Sequence, residues 1–430
     1  MSTSERARRV IDFDHHSADL TAEVSDLGVG AALSPLRQRC PIGWTQSHGG
    51  YWVATGYDEI QKISRNDDVF SSDHDPQGLR KSYTGVTIPV TYPVPLGFIE
   101  MDPPEHTLIR KALLPWFTQK AVEGWRPVLE DLTSAFIDRV IETGECDFIE
   151  AIASPVPAVL TMMLLGAPLE RWGLWSAAHH RTVAAMPTGP ERDQAMAEMM
   201  QVMGDLVTLV GETRANPPAG EPKNLIEVLC TSEIGGRLLA DEEILLHAVL
   251  ITAGGTDTTT TALTFAMKWL DDNPEARQRL AEASPELMAT AIEEFIRVSA
   301  PVTALARTAK CPADVGDQHI EADERVLMFY AAANYDPVRF PDPERVDIER
   351  SPNPHTSFGL SNHRCIGMHF ARLELDVVLR QVLKRMPDFK VDHDGARRNA
   401  DVGVNQGWVK LPISFTPGPR IGSTFQPAEP

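Results

Sequence analysis

The sequence predicts a mainly α-helical protein with small β-sheets. Apolar residues recur at helical spacing through long stretches, most clearly over 241–270 and after residue 365. Runs typical of β-strands are short, and the clearest of them surround a Gly-Gly turn within 43–55. A segment interrupted by prolines and glycines, 71–101, predicts a long loop between helices. Helices therefore dominate this chain, and strands form a minority element.

Composition and charge bound the class of protein. The chain has 430 residues, is 43% hydrophobic and 23% charged, and carries a formal net charge of -20. Such an acidic protein is a poor partner for nucleic acid or an anionic membrane. Five cysteines, without a CxxC pair, argue against a disulfide framework. The sequence shows no signal peptide and no run of about 18 apolar residues, so we predict a cytoplasmic protein.

The first third of the chain contains few repeated patterns. Residues 1–35 are polar and predict a loose N-terminal segment. The hairpin at 43–55 is followed by a short helix from Tyr57 to Ile63, because that run lacks strand alternation. The loop 71–101 contains several aromatic residues, which favours a loop packed over another part of the molecule. Length alone suggests two or three domains.

A helix start is predicted at Asp102-Pro103-Pro104-Glu105. Asp102 can cap the helix, Pro103 suits its first position, and Glu105 follows the cap by three residues. His106 and Arg110 then lie four residues apart on one face of that helix. Taken alone, such a pair is more typical of a solvated surface.

Two further helical regions are predicted to serve mainly as core. The apolar stripe that begins at Trp125 continues at the spacing of one helix face as far as Val140. Residues 155–215 are helical and rich in methionine, which is best explained by core packing.

The helix that starts at Asp241 has an unusual centre. Residues 253–261 contain two glycines and a run of threonines and aspartate, which are poor helix formers. Threonine hydroxyls can take over carbonyl groups that a distorted helix leaves free. We therefore predict a local distortion of the type found at functional sites, the alternative being a simple break between two helices.

Three patterns follow this helix before the last helical region. Glu294 and Arg297 share a helix face, which alone indicates no more than a surface ion pair. Arg325–Tyr330 reads as a buried strand, and 408–415 as a strand of a terminal hairpin. Residues 418–430 are predicted to form a tail.

Cys365 occupies the most informative position in the sequence. It follows a glycine-bearing loop that starts at Phe358, and it precedes apolar residues spaced as on one helix face. A cysteine at a helix N-terminus is favoured as a thiolate, and a thiolate is a good iron ligand. The other four cysteines are more simply read as small buried side chains.

The stretch from Phe358 to Gly367 resembles the haem-binding signature of the cytochrome P450 family of haem-thiolate monooxygenases. Phenylalanine, seven residues, cysteine, one residue and glycine match in order, but Ser361 stands where the family usually has glycine. Further matching motifs extend from Asp102 to Gly367. The resemblance implies a single cytochrome P450 domain over residues 1–430, mainly α with small β-sheets.

The resemblance also implies a haem b cofactor and the residues around it. Cys365 would be the iron ligand, and Gly254 and Gly255 would leave room for oxygen. The remaining cofactor-binding residues implied, mostly donors to the haem propionates, are His106, Arg110, Arg307, His363 and Phe358.

Catalytic, structural and substrate-binding residues follow from the same resemblance. Thr258 would hydrogen-bond the bound dioxygen, and Asp257 would relay protons to it. Glu294, Arg297 and Arg345 would form a structural triad that locks the segment before the cysteine loop. The residues implied to line the substrate pocket are Val302, Thr303, Ala304 and Leu305. Methionines between 186 and 203 would lie in a lid over that pocket.

The implied activity is oxidation of a hydrophobic small molecule, with electrons from NAD(P)H delivered by separate partners. No stretch resembles a fused reductase, so a ferredoxin and a ferredoxin reductase are expected. Lys111, Arg364 and Arg372 would lie near the face that meets the ferredoxin. The alternatives are a haem-thiolate peroxygenase, a non-oxidative isomerase or dehydratase, and a haem-binding sensor without turnover. The acid–alcohol pair favours the monooxygenase.

Overall fold

The computed structural model describes residues 8–75, 85–89, 95–186 and 189–425. Helices dominate this part of the chain, as predicted. The α-helices are α1 (Ala18–Glu23), α2 (Val29–Ala32), α3 (Ser34–Arg39), α4 (Tyr57–Ser64), α5 (Glu105–Phe117), α6 (Gln119–Glu123), α7 (Arg126–Val140), α8 (Pro155–Leu165), α9 (Trp172–Ala184), α10 (Pro190–Ala215), α11 (Leu225–Thr231), α12 (Asp241–Thr256), α13 (Thr258–Asp272), α14 (Pro274–Ala281), α15 (Pro285–Ser299), α16 (Tyr330–Ala333) and α17 (Met368–Arg385).

The strands are short. They are β1 (Ile42–Thr45), β2 (Tyr51–Ala54), β3 (Phe70–Ser71), β4 (Glu145–Asp147), β5 (Leu305–Ala309), β6 (Ala313–Val315), β7 (Gln318–Ile320), β8 (Arg325–Met328), β9 (Lys390–Val391), β10 (Arg397–Arg398), β11 (Trp408–Lys410) and β12 (Pro412–Ser414). Single 3₁₀ turns occur at Ser47–Gly49, Gly97–Glu100, Leu169–Arg171 and Ser361–His363, and a π-helical turn at Ile149–Ala153.

The largest sheet joins strands within residues 42–71 to strands within residues 305–328. Its strand order is β1-β2-β8-β5-β3, and β1 pairs with β2 in the predicted antiparallel hairpin. Strand β8, the predicted buried strand, pairs in parallel with β2 and antiparallel with β5. Residues 51–54 and 325–328 are therefore neighbours in one sheet.

The terminal hairpin predicted at 408–415 does not form as one strand. β11 pairs with β10, whereas β12 lies between β4 and β9 in a different sheet. Pro412 opens β12, and because proline has no amide hydrogen it suits the first position of a strand. The chain therefore changes sheets at Leu411.

Helices α12 and α13 run through the main hydrophobic core. They pack against α8, α10, α15 and α17, and the predicted stripe of α7 is buried in the same cluster at Leu129, Leu132 and Phe136. No helix among the described residues is both long and apolar enough to cross a lipid bilayer.

The prediction of a loose segment over residues 1–35 is wrong for residues 8–35. The ring of His15 is fully buried, and Asp26 accepts hydrogen bonds of 2.6 Å from both Lys268 and Arg398. His16 Nδ1 lies 2.7 Å from Asp401 Oδ2. Polar side chains therefore anchor this segment to distant parts of the chain, which is why its polarity did not indicate disorder. Residues 1–7 lie outside the described part.

The tail predicted at 418–430 is also attached as far as it is described. The backbone amides of Gly422 and Phe425 donate to Asp138 and Asp131 of α7, at 2.8 and 2.9 Å. Phe425 packs near Phe136. The predicted tail is thus docked up to residue 425, and 426–430 lie outside the described residues.

The predicted cap of α5 is wrong. The helix begins at Glu105, and Asp102 accepts from Ser71 Oγ at 2.5 Å and from the Ser72 amide at 2.9 Å instead. A carboxylate so occupied cannot also cap the helix. Asp102 thereby fixes the start of the loop 71–101, of which 76–84 and 90–94 lie outside the described residues.

Candidate active site

The loop that carries Cys365 is held by backbone hydrogen bonds. The Cys365 amide donates to the Phe358 carbonyl at 2.7 Å, and the Gly359 amide donates to Thr356 at 2.8 Å. Helix α17 begins at Met368, three residues after the cysteine, and Gly367 is its N-cap. Phe358 lies beneath the guanidinium of Arg372, 4.7 Å from its ring centre. The loop therefore presents a single thiol just ahead of a helix.

Ser361 adopts the backbone conformation of the glycine that it replaces. Its φ is +58°, in the left-handed region, where an L side chain meets the backbone unfavourably. Serine is therefore accommodated here at a cost in free energy rather than by a rearranged loop.

Replacing Ser361 with glycine is expected to raise the free energy of unfolding by about 1 kcal/mol, since it removes left-handed strain. Urea denaturation of the haem-loaded protein measures the change. Asn362→Gly is the control, because Asn362 has no positive φ and should lose stability. If the Ser361→Gly variant were less stable than the parent, the positive φ of Ser361 would not be a source of strain.

Four basic side chains surround the cysteine loop. The rings of His106 and His363 lie 4.2 Å apart, and Arg110 donates to the Arg364 carbonyl at 2.5 Å. Arg307 of β5 is buried close enough to both histidines to lower their pKa values. The structure therefore brings together the four predicted propionate ligands.

None of these four side chains forms an ion pair within the described part of the chain, and the charge of Asp102 offsets only in part the effect of burial and of the two arginines on the pKa of His106. Neither ring nitrogen of His106 has a hydrogen-bond partner there, although both are buried. Burial, together with the charges of Arg110 and Arg307, lowers the pKa of His106 to about 4. Buried donors without acceptors are unfavourable unless an anionic group binds them. A cofactor with carboxylates, such as haem, fits these residues.

Cys365 is more weakly disposed to ionise than its place before a helix suggested. Burial raises the pKa of its thiol, although the Gly367 amide and the charge of Arg110 act in the opposite direction. The residue as a whole is exposed, as is Cys311 alone among the other four cysteines, although neighbouring groups enclose its thiol. The thiolate would thus be stabilised chiefly by binding a metal.

The predicted distortion lies where the acid–alcohol pair occurs. Helix α12 ends at Thr256 and α13 begins at Thr258, and Asp257 between them has φ -108° and ψ -21°, which is right-handed but away from the centre of the helical region. The Thr258 hydroxyl donates to the Gly254 carbonyl at 2.9 Å, and Thr256 donates to Thr252 at 2.6 Å. Hydroxyls therefore take over carbonyls at the break, as the sequence indicated.

The two glycines beside the break have different roles. A methyl group at Gly254 would meet no heavy atom within 4 Å, so this position faces open space. A methyl group at Gly255 would lie 2.4 Å from Thr161 Oγ1 of α8. The prediction that Gly255 leaves room for oxygen is therefore wrong, because this glycine allows close packing of two helices.

Asp257 has a partner that the sequence did not reveal. His180 of α9 places Nδ1 2.7 Å from Asp257 Oδ1, and both side chains are largely buried. Burial opposes protonation of His180, yet the carboxylate outweighs it and raises the pKa of the imidazole. No local spacing could show this pair, since 77 residues separate its members.

Glu374 of α17 is a second buried acid near the break that the sequence reading missed. Its Oε2 accepts from Thr259 at 2.5 Å. Burial raises its pKa to about 8, only partly opposed by that hydrogen bond. Glu374 is therefore neutral at pH 7.

We expect Glu374→Gln to become more stable relative to the parent as pH rises from about 5 to 8. In that window an unfolded glutamate has lost its proton whereas the folded one keeps it, so the parent loses on the order of 1 kcal/mol per pH unit. Chemical denaturation of both proteins across this range measures the difference. A constant difference would show that Glu374 is ionised in the folded protein.

A cavity of about 220 Å³ adjoins the break between α12 and α13. Gly254, Asp257 and Thr258 line it together with side chains of α9, the loop before α5 and residues after α15. Of the predicted pocket residues, Val302 and Leu305 line this cavity. Thr303 and Ala304 do not, because both are fully buried and the Thr303 hydroxyl is hydrogen-bonded to the Gly403 carbonyl.

The methionines of the predicted lid do not line this cavity. Met186 and Met200 are exposed to solvent instead. Of the lid segment 186–203 only Arg192 lines the cavity among the described residues, whereas Thr182 and Val183 belong to α9. Adaptable methionine packing is therefore not a property of this pocket.

The structural triad forms with a different arginine. Glu294 and Arg297 are fully buried and joined by two hydrogen bonds of 2.8 Å, as predicted. Arg350, rather than Arg345, completes the group, with Nε 3.1 Å from both carboxylate oxygens. Arg345 is exposed and lies 3.9 Å from Asp347. The segment folds so that Arg350 reaches the buried carboxylate.

Comparisons with known proteins agree with this geometry. The sequence model of the family described as Cytochrome P450 matches residues 179–415. The chain is 31% identical to a steroid C26-monooxygenase of Mycolicibacterium smegmatis over 92% of its length and 95% of that protein. It is 28% identical to a steroid C26-monooxygenase of Mycobacterium tuberculosis over 92% and 98% of the two chains.

Solved structures give the same result. A Mycobacterium marinum cytochrome P450 in complex with pseudoionone is similar to this chain with a TM-score of 0.82 and 26% identity, over 95% of this chain and 100% of that one. A mutant of the cytochrome P450 EryK in complex with erythromycin B gives a TM-score of 0.81 at 26% identity, with the same coverage.

Proposed function

The chain belongs to the cytochrome P450 family. From that premise we propose that it is a haem-thiolate monooxygenase, and we propose which of its residues bind the cofactor, oxygen and the substrate. The enzyme uses haem b, molecular oxygen and two electrons derived from NAD(P)H. One oxygen atom enters a hydrophobic substrate, and the other leaves as water with two protons. We also propose that residues 1–430 form a single domain, because the largest sheet joins strands within residues 42–71 to strands within residues 305–328.

The observation that carries the assignment is the basic cluster beside the Cys365 thiol, whose four side chains form no ion pair in the described part of the chain and whose buried His106 has no hydrogen-bond partner there. In this proposal Cys365 binds the iron, while His106, Arg110, Arg307 and His363 bind the propionates. An arginine fork suits a carboxylate because it donates two parallel hydrogen bonds. When bound, the haem activates oxygen, and its thiolate ligand donates electron density that favours O–O cleavage.

Thr258 and Asp257 are proposed to handle oxygen and protons within the cavity at the helix break. Both line the cavity at the helix break, where the Thr258 hydroxyl can exchange its bond to Gly254 for one to a ligand. Asp257 accepts protons from solvent, and His180 holds its carboxylate in place. This pair favours oxygen-dependent turnover over the peroxygenase, isomerase and sensor alternatives, because none of these has to deliver protons to bound dioxygen.

Thiolate ligation has a direct spectroscopic test. The reduced protein with carbon monoxide should absorb at the position typical of thiolate-bound haem iron, and Cys365→His should shift that band while the haem remains bound. Cys311→Ser, at the other exposed cysteine, is the control and should change nothing. If the Cys365→His variant kept the spectrum of the parent, Cys365 would not be the ligand of the haem iron.

The substrate is proposed to be a hydrophobic small molecule. Val302, Leu305 and Val86 contribute apolar surface to the cavity, and apolar pockets with few polar groups are typical of such sites. Two relatives are named steroid C26-monooxygenases, which supports a terpenoid or steroid among the possible classes.

The electron donor is proposed to be a ferredoxin, served by a reductase, that meets the face near Lys111 and Arg364. Both side chains are exposed. Arg372 does not fit the predicted patch, because it donates to Glu293 at 2.6 and 2.8 Å. We expect Arg364→Glu to slow electron transfer about tenfold at low salt, with the deficit shrinking as salt increases. Equal electron-transfer rates in the parent and in Arg364→Glu at every ionic strength would show that the ferredoxin does not bind at this face.

A further inference from the structure

The cavity beside the helix break contains four charged or titratable side chains among mostly apolar neighbours. They are His16, Arg192, Asp257 and Asp401. In a pocket of this kind a few polar groups fix the orientation of the ligand. The charge that remains after these groups have paired with one another therefore indicates which ligand the cavity accepts.

Both acids of the cavity are already paired. Asp257 lies 2.7 Å from His180, and Asp401 lies 2.7 Å from His16. His16 Nε2 also lies 2.9 Å from the Ile88 carbonyl. Because both neighbours of the His16 ring are acceptors, both of its nitrogens must carry a proton, and the imidazole is positively charged. The two acid–histidine pairs leave no negative charge for a third cation.

Arg192 is that third cation. It lies in the first turn of α10, is half-buried, and donates from Nη1 to the Thr182 carbonyl at 2.6 Å. Among the described residues no carboxylate lies within 4 Å of its guanidinium, as the ion pairs of this part of the chain show. The internal stretches outside the description, 76–84, 90–94 and 187–188, contain no aspartate or glutamate. Arg192 thus retains donors that no acidic side chain of the described residues occupies.

We infer that Arg192 binds the carboxylate of an apolar substrate and holds it at the α9–α10 side of the cavity. The inference rests on the proposed function, since it concerns the ligand of that same cavity. A guanidinium offers five N–H donors in a planar fork that matches a carboxylate, and one donor is used by Thr182. Apolar walls next to the fork strengthen such a bond, because water competes less for it.

The inference narrows the substrate class to amphiphilic acids, such as fatty acids or steroids with an acidic side chain. With the carboxylate at Arg192, the apolar end of the molecule occupies the part of the cavity lined by Gly254 and Thr258. Oxidation would then occur away from the acid group. A substrate with a neutral end would leave Arg192 without its partner.

The test compares acids with neutral analogues of the same shape. Dodecanoic acid and 1-dodecanol form one pair, and lithocholic acid with its C24 alcohol forms the other. Each is titrated into the haem-loaded protein at pH 7.5, both by the shift of the Soret band and by calorimetry. The parent should bind at least one acid about tenfold or more tightly than its alcohol.

Arg192→Gln should abolish this preference, and Arg192→Lys should keep part of it. Arg181→Gln is the matched control, because Arg181 is an exposed arginine of α9 that pairs with Glu198 and does not line the cavity. It should retain the full preference. If Arg192→Gln does not fold, Arg192→Lys and the salt dependence of acid binding provide the same evidence, since a charged contact weakens as salt increases.

An equal preference in the parent and in Arg192→Gln, or no preference for either acid in the parent, would overturn the inference. The carbon monoxide spectrum separates this failure from that of the proposed function. If the protein shows normal thiolate absorption but no preference for acids, only the proposed contact between Arg192 and a carboxylate is wrong. If the protein prefers acids by calorimetry but shows no thiolate absorption, the contact between Arg192 and the carboxylate is supported and the monooxygenase assignment is wrong.

Discussion

Replacing Glu294 with glutamine is expected to lower the free energy of unfolding by about 3 to 5 kcal/mol and to reduce haem incorporation sharply. The carboxylate accepts from Arg297 and Arg350, and from the Asp347 amide at 2.8 Å. Because Arg297 is fully buried, its charge would be left without a counter-ion in a low-dielectric environment. Chemical denaturation of the haem-free protein and the haem content of purified protein measure the two effects.

The two nearby arginines provide the matched comparison. Arg350→Ala should lose about 2 kcal/mol or more, since it removes two hydrogen bonds to a buried carboxylate. Arg345→Ala should stay within about 0.5 kcal/mol of the parent, because its side chain is 71% exposed. A stable, haem-loaded Glu294→Gln enzyme with slow turnover would instead assign Glu294 to catalysis. Equal losses at Arg345 and Arg350 would contradict the observed pairing.

Replacing Thr258 with alanine is expected to uncouple NAD(P)H consumption from product formation. The variant should still consume reduced nicotinamide, but product per nicotinamide should fall by about tenfold or more and hydrogen peroxide should appear. The reason is that both protons must reach the same oxygen atom of dioxygen for water to be released. The Thr258 hydroxyl at the helix break is proposed to direct them to that atom. Simultaneous measurement of nicotinamide, product and peroxide gives the ratio.

Thr258→Ser is the control, since it keeps a hydroxyl at the cavity wall and should remain largely coupled. Asp257→Asn should slow turnover more than it uncouples it, because the proton source is weakened while the hydroxyl remains. His180→Gln should act in the same direction as Asp257→Asn but less strongly, since His180 acts through the carboxylate. Unchanged product per nicotinamide in Thr258→Ala would remove the oxygen-handling role from this residue.

Features determined by local sequence could be predicted, and the structure agrees with them. The loop before Cys365 depends on glycines and on the start of one helix, and the break at Asp257 depends on residues within 253–261. The helices and the hairpin follow from apolar periodicity. The cap predicted at Asp102 was wrong for a different reason. The local capping pattern is present in the sequence, but Ser71 and Ser72, about 30 residues away, donate to the carboxylate instead.

Features determined by contacts between distant residues could not be predicted. Arg345 and Arg350 are both arginines in an irregular segment, and only the folded path decides which of them reaches Glu294. Gly254 and Gly255 are adjacent in sequence, yet α8 packs against only one of them. The polar composition of residues 8–35 concealed ion pairs whose partners lie more than 200 residues away, such as Lys268.

The attachment of the N-terminal segment affects how the protein can be shortened. His16 and Asp401, which lie on opposite ends of the sequence, form one wall of the ligand cavity. A truncation that removed the first 25 residues would leave the catalytic motifs intact but open that wall to water. Deletions at the N-terminus would therefore alter ligand selectivity without removing any of the residues proposed to bind the haem.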